Sequence, residues 1–257
     1  MEVIICSTDG EVGEKAAATV ANKVRQAQAS GRKAVIGVAT GSSPLSTYTA
    51  LQQLIDRGEL DLSQAYAFAL DEYVGLPAGH PESYCEVIRK TVTEPLNMIP
   101  AQVNVPNGNA EKLDQAGADY EKAIAAAGGV DIQILGIGSN GHIGFNEPIS
   151  SLSSRTRVVK LTEQTRQDNA RFFDSLDDVP GYALTQGLGT ILDARACVLV
   201  AQGAGKAAAV KALVEGPVSA MCPASVLQWH ENATIVVDEA AAANLELADY
   251  YRAQASH

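Results

Sequence analysis

The stretch DIQILGIGSNGHIGFNEP, residues 131–148, contains the strongest structural and chemical signals in the sequence. Its apolar run at 132–135 has the length and the branching of a buried β-strand. The strand runs into a glycine-rich loop that carries His142 and Glu147 a few residues apart. An imidazole beside a carboxylate is suited to acid–base chemistry. Because ligands of open α/β sheets bind beyond the carboxyl ends of the strands, we expect a functional site at this loop.

The same loop contains the pattern Gly-x-Gly-x-x-Gly at Gly136, Gly138 and Gly141, which is typical of dinucleotide-binding loops. That function requires a helix to begin at the loop, but Pro148 follows too soon for an uninterrupted helix. It also requires an acidic residue about 20 residues further on, at the end of the next strand, where this sequence has Lys160. The pattern alone therefore does not predict a nicotinamide cofactor.

Composition narrows the class of protein. The 257-residue chain is 46% hydrophobic, which is enough for a substantial core, and it has a net charge of -11 and a pI near 4.8. This acidity argues against nonspecific binding to nucleic acid or to anionic membranes. The first residues lack the features of a secretion signal, and no apolar run approaches the roughly 20 residues of a membrane span. The four cysteines are too widely spaced for a zinc site or a disulfide framework, so we expect a cytoplasmic protein.

Strand-like and helix-like segments alternate along the chain. The predicted strands are 3–6, 34–38, 66–70, 132–135, 155–161, 196–201 and 234–237. The predicted helices are 11–29, 45–57, 82–91, 110–127, 164–173 and 206–214. This alternation predicts an α/β fold with a largely parallel sheet and helices on both faces. No linker or repeat divides the chain, so we expect a single domain spanning residues 1–257, in which the polar segment 160–180 is either a lid over the site or a solvated surface helix.

A second loop of chemical interest follows the second predicted strand, with the sequence Thr40-Gly41-Ser42-Ser43-Pro44. Such a loop entering a helix offers backbone N–H groups, hydroxyls and the positive end of the helix dipole, which together suit a phosphate. The loop is not a Walker A motif, because no Lys-Ser/Thr pair follows it. A serine-rich helix cap without a ligand fits the same residues, and the sequence leaves both interpretations open.

Charged residues stand at the ends of two further strands. Asp71 and Glu72 follow the third predicted strand, and in a parallel sheet they lie on the same rim as the two loops. We favour a base over a metal ligand here, because only His80 and Glu82 are near in sequence to complete a metal site. Lys206 begins a helix, where a lysine opposes the macrodipole, so an anionic ligand explains this residue better than helix stability does.

Seven segments match a known family in order and spacing. They are ATGSSP (39–44), LDEYVGL (70–76), HPESY (80–84), GIGSNGHIGFNEP (136–148), SRTRVVKLT (154–162), RFF (171–173) and GAGKAAAVKALVEG (203–216). Through them the sequence resembles the glucosamine-6-phosphate deaminase family over about residues 3–239. The resemblance implies a Rossmann-like α/β fold and the conversion of glucosamine 6-phosphate and water to fructose 6-phosphate and ammonia. It implies no metal and no organic cofactor.

The resemblance also implies a role for each residue singled out. Asp71 is the base that moves a proton from C2 to C1, giving an enolamine whose imine tautomer is then hydrolysed. His142, paired with Glu147, is the acid–base group that opens the pyranose ring. The residues that hold the phosphate are Thr40, Gly41, Ser42, Ser43, Arg171 and Lys206. The residue chemistry agrees independently, because proton transfer near neutral pH suits a histidine and remote phosphate binding positions the reacting end of the sugar.

Two positions depart from part of the family. Where some members have an aspartate before the Gly-His pair, this sequence has Asn140. The resemblance places Asn140 among the catalytic residues with Asp71, His142 and Glu147, but an amide cannot hold a negative charge. Longer members are hexamers activated by N-acetylglucosamine 6-phosphate through an Arg-x-Lys-Thr run, and here Val159 stands at its lysine position. From this break and the short C-terminal end we expect a monomer without allosteric activation.

Three alternatives are weighed against this function. A galactosamine-6-phosphate deaminase shares the fold and the chemistry and differs in recognition of the C4 hydroxyl, although LDEYVGL favours the gluco sugar. Sugar-phosphate lactonases share the fold class but need no carboxylate over C1 and C2. A non-catalytic sugar-phosphate sensor would need neither Asp71 nor His142, and we expect no DNA-binding segment before the first strand. The sequence therefore favours the glucosamine-6-phosphate deaminase.

Overall fold

Ten strands occur within residues 1–254, which are the residues that the computed structural model describes. In chain order they are β1 (Glu2–Cys6), β2 (Val35–Val38), β3 (Tyr66–Ala69), β4 (Asp71–Tyr73), β5 (Val103–Asn104), β6 (Ile132–Leu135), β7 (Arg157–Lys160), β8 (Tyr182–Thr185), β9 (Cys197–Ala201) and β10 (Ala233–Asp238). Seven of them form a parallel sheet in the order β1-β10-β9-β6-β2-β3-β5. The predicted α/β fold with a largely parallel sheet is confirmed. Residues 255–257, the end of the predicted domain, lie outside the described residues.

Helices pack on both faces of this sheet, as predicted. They are α1 (Asp9–Ala29), α2 (Leu45–Asp56), α3 (Tyr84–Ile88), α4 (Leu113–Ala126), α5 (Glu163–Asn169), α6 (Leu188–Leu192), α7 (Ala207–Val214) and α8 (Ala248–Gln254). One hydrophobic core lies between the sheet and α1, α2 and α3, and another lies between the sheet and α4, α6 and α7. Along β9, Leu199 belongs to the second core and Val200 to the first, as the alternation of a strand buried on both faces requires. In the described part of the chain, no helix is long and apolar enough to cross a lipid bilayer.

The N-terminal end of α1 shows how local sequence fixes an element. The Thr8 hydroxyl accepts the N–H of Glu11 at 3.1 Å, and the Glu11 carboxylate accepts the N–H of Ser7 at 2.8 Å. These contacts satisfy donors that the first helical turn leaves unpaired. Further along, Gly13 lets α2 approach closely, because a Cβ atom there would lie 2.5 Å from the carbonyl oxygen of Ser46. The packing of α1 therefore sets the position of α2 and of the loop that precedes it.

A second, antiparallel sheet was not predicted. It has the order β4-β8-β7, and it contains β7, which lies within the predicted strand 155–161. The strand is confirmed, but β7 is only partly buried and pairs antiparallel with β8 rather than with a strand of the central sheet. The sequence did not reveal β4, β5 and β8, which have two to four residues each and so show no periodicity.

Two of the predicted helices are shorter than expected and continue in a different form. The segment 82–91 forms α3, and a π-helical turn, Arg89–Thr93, follows it. The segment 164–173 forms α5, which ends in the 3₁₀ turn Ala170–Phe172. This change of helix type leaves Arg171 in a turn rather than within a regular helix.

A contact between β2 and β6 gives a prediction about stability. A Cβ atom on Gly37 would lie 1.9 Å from Oε1 of the fully buried Gln133, so we expect Gly37→Ala to destabilise the fold by about 1–3 kcal/mol. Gln133→Ala in the same chain removes the clashing atoms, so the double variant should be more stable than the sum of the two single effects by about 1 kcal/mol or more. Urea unfolding of the four proteins measures this coupling. Simple additivity would show that the two residues are not in steric conflict.

Candidate active site

A cavity of about 570 Å³ opens at the carboxyl ends of β2, β3, β6 and β9. These strands are neighbours in the sheet and parallel, so the loops that follow them meet at one edge. Eight of the ten predicted site residues line the cavity: Thr40, Gly41, Ser42, Ser43, Asp71, His142, Arg171 and Lys206. The other two, Asn140 and Glu147, make contacts with the loop of His142.

The loop after β2 presents the end of α2 to the cavity. Gly41 has φ = 89°, a conformation that favours glycine, and Pro44 occupies the N-cap position without a side-chain capping hydrogen bond. The hydroxyls of Ser42 and Ser43 therefore do not cap α2, in contrast to the cap interpretation of this loop. Together with the positive end of the 12-residue helix, they form a wall suited to an anion.

Two cationic side chains line the same cavity. Lys206 stands at the N-cap of α7, and burial lowers the pKa of its ammonium group. Arg171 reaches the same cavity from the turn that follows α5, and its positive charge lowers the pKa of Lys206 further, whereas Asp168 raises it. Two cations held close together in a half-buried site are compatible with a bound dianion, which would reduce their mutual repulsion.

Asp71 and Glu72 have different environments although they are adjacent. The Glu72 carboxylate accepts N–H bonds from Tyr73 at 2.8 Å, from Tyr84 at 2.9 Å and from Cys85 at 2.9 Å, so it fixes the start of α3. Asp71 is 5% exposed and lines the cavity. Burial, and secondly the charge of Glu72, raise the pKa of Asp71 to about 8. The pair predicted on the rim therefore separates into one structural carboxylate and one that faces the cavity.

The loop of His142 is shaped by two of its glycines. A Cβ atom on Gly138 would lie 2.3 Å from the imidazole ring, so this glycine allows the ring to pack over the backbone. Gly141 has φ = 86°, and a Cβ atom there would lie 2.7 Å from Sγ of Cys222. In this protein two glycines of the dinucleotide-like pattern therefore make room for the side chains of His142 and Cys222.

A small polar network lies beside the imidazole. Nδ1 of His142 lies 3.5 Å from Oε2 of Glu147, and Nδ2 of Asn140 donates to the same oxygen at 2.7 Å. The Asn140 side-chain oxygen accepts the backbone N–H of His142 at 3.2 Å. Burial opposes ionisation of Glu147, but the contacts with His142, Thr165 and Asn140 outweigh it and lower the pKa of Glu147 to about 2. Glu147 is therefore a fixed negative charge beside a titratable ring.

The segment 160–180 contributes one wall of the cavity through Thr165, Asp168, Asn169, Arg171, Phe172 and Phe173. Aromatic rings also line the cavity. The ring centroids of Tyr73 and Tyr84 are 4.8 Å apart, and the ring of Tyr84 stacks on that of Phe145 with a centroid distance of 5.9 Å. His80 lies in a turn, where its Nδ1 accepts the N–H of Glu82 at 3.1 Å. No local pattern marks the aromatic residues or Thr165 as part of the site, because their place in the cavity depends on contacts between segments that are distant in the chain.

Comparisons with known proteins agree with this geometry. Residues 7–236 match the model of the family described as glucosamine-6-phosphate isomerases/6-phosphogluconolactonase. The glucosamine-6-phosphate deaminase of Cutibacterium acnes is 57% identical over 252 residues, which cover 98% of this chain and 95% of that protein. The corresponding enzyme of Rhodococcus opacus is 54% identical over 257 residues, with 100% and 97% covered.

Two kinds of solved structure resemble this chain, one in sequence and fold and the other in fold alone. A monomeric glucosamine-6-phosphate deaminase has a TM-score of 0.90 and 41% sequence identity, covering 95% of this chain and 100% of its own. The 6-phosphogluconolactonase of Trypanosoma brucei has a TM-score of 0.74 and 19% identity, with 95% and 98% covered, which shows the shared fold alone.

The environment of Asp71 predicts a pH-dependent effect on stability. Its pKa is higher in the folded protein than in the unfolded chain, so its favourable contribution is complete below about pH 4 and is lost as the pH rises through 8. We expect Asp71→Asn to be more stable than the unsubstituted protein by about 1–3 kcal/mol at pH 9, and the gain to shrink towards pH 5. Urea unfolding at several pH values measures it, with Asp114→Asn on the exposed face of α4 as the control. A gain that does not vary with pH would contradict the assigned burial of the carboxyl group.

Proposed function

The chain belongs to the family of glucosamine-6-phosphate isomerases and 6-phosphogluconolactonases, and from this premise we propose that it is an isomerising deaminase. The reaction is the conversion of glucosamine 6-phosphate and water to fructose 6-phosphate and ammonia. The observation that carries the proposal is the joint placement of Asp71, the His142–Glu147 pair and a cationic wall in one cavity. The relatives that are 52–57% identical over nearly their full length bear the name of this enzyme and thus support the gluco sugar.

Binding begins at the phosphate. The loop Gly41–Ser43, Arg171 and Lys206 hold the phosphoryl oxygens, and Thr40 stands where the loop enters the cavity. Binding energy from this remote group positions C1 and C2 against the acid–base residues. A dianion also explains why two cations and a helix N-terminus face the same space.

His142 opens the pyranose ring. It removes the proton of the C1 hydroxyl and delivers a proton to the ring oxygen, so that the C1–O5 bond breaks and a linear aldehyde forms. Glu147 holds the imidazole in place and stabilises its protonated form. Asn140 fixes Glu147 through its amide donor without adding a second charge.

Asp71 catalyses the isomerisation. As its carboxylate accepts the proton from C2, the aldehyde oxygen O1 takes up a proton and the enolamine forms. The carboxylate then returns its proton to C1, and nitrogen releases one proton, which balances the one gained by O1, so that an imine stands at C2. Water adds to the imine carbon, the C2–N bond breaks and ammonia leaves, which balances the overall reaction. Because the pKa of Asp71 lies near neutrality, the group is a stronger base than an ordinary carboxylate and is still ionised in part at neutral pH.

We propose further that the protein works as a monomer without the activator N-acetylglucosamine 6-phosphate. A solved relative that is 41% identical is described as monomeric. In this chain Arg157 donates to Asn146 at 2.9 Å and to Ser150 at 3.3 Å, so its guanidinium takes part in internal contacts. Val159 supplies no charge at the position where activated members have lysine.

The remaining assignments rest on the same activity. We place the enzyme among hydrolases of amino sugar metabolism, in the catabolism of N-acetylglucosamine, and in the cytoplasm, where its free thiols would stay reduced. Residues 1–257 are proposed to form one catalytic domain, and 160–180 its lid. The lid proposal is supported by the residues of this segment that line the cavity.

The direct test is ammonia release from glucosamine 6-phosphate. We expect release from this sugar, little from galactosamine 6-phosphate, and a loss of about 10²–10⁴-fold in kcat for Asp71→Asn, because the carbon proton transfer loses its base. Asp114→Asn serves as the matched surface control. If neither sugar yields ammonia, the proposed function is wrong; if the galacto epimer reacts faster, the sugar assignment is wrong.

Asn140 predicts a distinct pH–rate profile. In Asn140→Asp two carboxylates face His142, the imidazolium becomes more stable, and the acid limb of kcat/KM should move to higher pH by about one unit. Asn140→Leu removes the same amide donor without adding charge and is the control. The charge argument fails if the acid limb stays in place in Asn140→Asp, or if both variants shift it equally.

A further inference from the structure

The two oxygens of the Glu147 carboxylate contact different parts of the molecule. Oε2 faces the histidine loop, at 2.7 Å from Nδ2 of Asn140 and 3.5 Å from Nδ1 of His142. Oε1 faces the start of α5, where it accepts a hydrogen bond from the hydroxyl of Thr165 and lies 3.3 Å from Oγ1 of Thr162. Glu147 is thus the link between the acid–base loop and the segment that forms one wall of the cavity.

Thr165 is held so that its hydroxyl proton points at this carboxylate. Its side chain is buried, with the residue 3% exposed, and it also lines the cavity. Oγ1 of Thr162 is the N-cap of α5: it accepts the backbone N–H of Thr165 at 3.2 Å and donates to Oγ1 of Thr165 at 3.0 Å. Since a hydroxyl has a single proton, Thr165 accepts from Thr162 and uses its own proton for Glu147.

The same short segment carries the arginine proposed to bind phosphate. Arg171 follows Thr165 by six residues, through the rest of α5 and the turn Ala170–Phe172, a rise of about 9 Å along a helix. Arg166, the next residue after Thr165, anchors the segment elsewhere by donating to the carbonyls of Val179 at 3.2 Å and Leu176 at 2.8 Å. One short segment therefore contacts Glu147 at one end and carries Arg171, which lines the cavity, at the other.

We propose that Thr165 is a positioning residue whose hydroxyl fixes Glu147 against His142 and couples phosphate binding at Arg171 to ring opening. The proposal rests on the proposed deaminase function. In this proposal Thr165 does not act on C1 or C2 of the sugar directly. It acts through the carboxylate of Glu147.

The hydroxyl also favours the charged form of Glu147. The contact with Thr165 is one of those that lower the pKa of this carboxyl. The other charged groups around it are His142 on the cavity side, and Arg157 and Lys160, which line a shallow pocket of about 400 Å³ on its opposite side. Loss of the Thr165 hydroxyl therefore raises the pKa of Glu147, but from a value of about 2 the carboxylate stays ionised near neutral pH, so the main effect is on its position against His142.

The test compares Thr165→Val with Thr165→Ser in the ammonia assay across pH. Valine keeps the shape of threonine without the hydroxyl, so Glu147 is held less firmly against His142 and stabilises the imidazolium less. We therefore expect kcat about tenfold lower and the acid limb about one pH unit lower, as for the loss of a hydrogen bond to a charged group. Serine keeps the hydroxyl and should stay within about twofold of the unsubstituted enzyme in kcat. Thr165→Ala, a smaller replacement without the hydroxyl, should shift the limb in the same direction and provides a second test if the valine variant folds poorly.

Arg166→Gln is the matched control, because it loosens the same segment without touching Glu147. It should raise KM and leave the acid limb in place. The proposal is overturned if Thr165→Val behaves like Arg166→Gln, if the limb of Thr165→Ala stays unshifted, or if serine fails to preserve kcat. Ammonia release by the unsubstituted enzyme, measured first, separates this failure from failure of the proposed function itself.

Discussion

The candidate site depends on a change of hydrogen-bond partner at Leu70, between β3 and β4. The N–H of Leu70 donates to Val38 of the central sheet at 3.1 Å, and its carbonyl accepts the N–H of Gln186 at 2.7 Å. At this residue the chain leaves the parallel sheet and enters the antiparallel one, so Asp71 lies at the junction of the two sheets. The second sheet covers this position through the pairing of β4 with β8, and the burial of Asp71 is the consequence.

Two buried carboxylates near the cavity are shifted in opposite directions by this arrangement. Burial disfavours the charged form of both, but Glu147 accepts hydrogen bonds from Asn140 and Thr165, whereas Asp71 has the charge of Glu72 beside it. Their pKa values are therefore about 2 and about 8. A permanent anion and a titratable base are what a ring-opening step and a carbon proton transfer separately need, and one cavity provides both because the number of hydrogen-bond donors differs.

The sequence predicted the parts of the site that lie within single loops. His142, Glu147 and the Thr40–Ser43 loop could be recognised because glycine, hydroxyl and titratable residues follow strands that are apolar and long enough to detect. The separate roles of Asp71 and Glu72 could not be predicted, because they depend on which carboxylate meets the start of α3 and which meets the cavity. Likewise β4 and β8 are defined by pairing between residues more than 100 positions apart, which no local pattern records.

Local charge, rather than net charge, decides whether an anionic sugar phosphate can bind to a protein with a net charge of -11. At physiological ionic strength, exposed charges more than about 8 Å away are largely screened, so most of the acidic surface contributes little inside the cavity. Lys206 is half-buried and lies close to Arg171, and α2 directs its positive end at the same space. Screening is weaker at such a site, and the repulsion that lowers the pKa of Lys206 is relieved when a dianion enters. A phosphate dianion bound in the proposed site would therefore be stabilised by the two cations and would stabilise them in turn, while the acidic exterior would have little effect on this equilibrium.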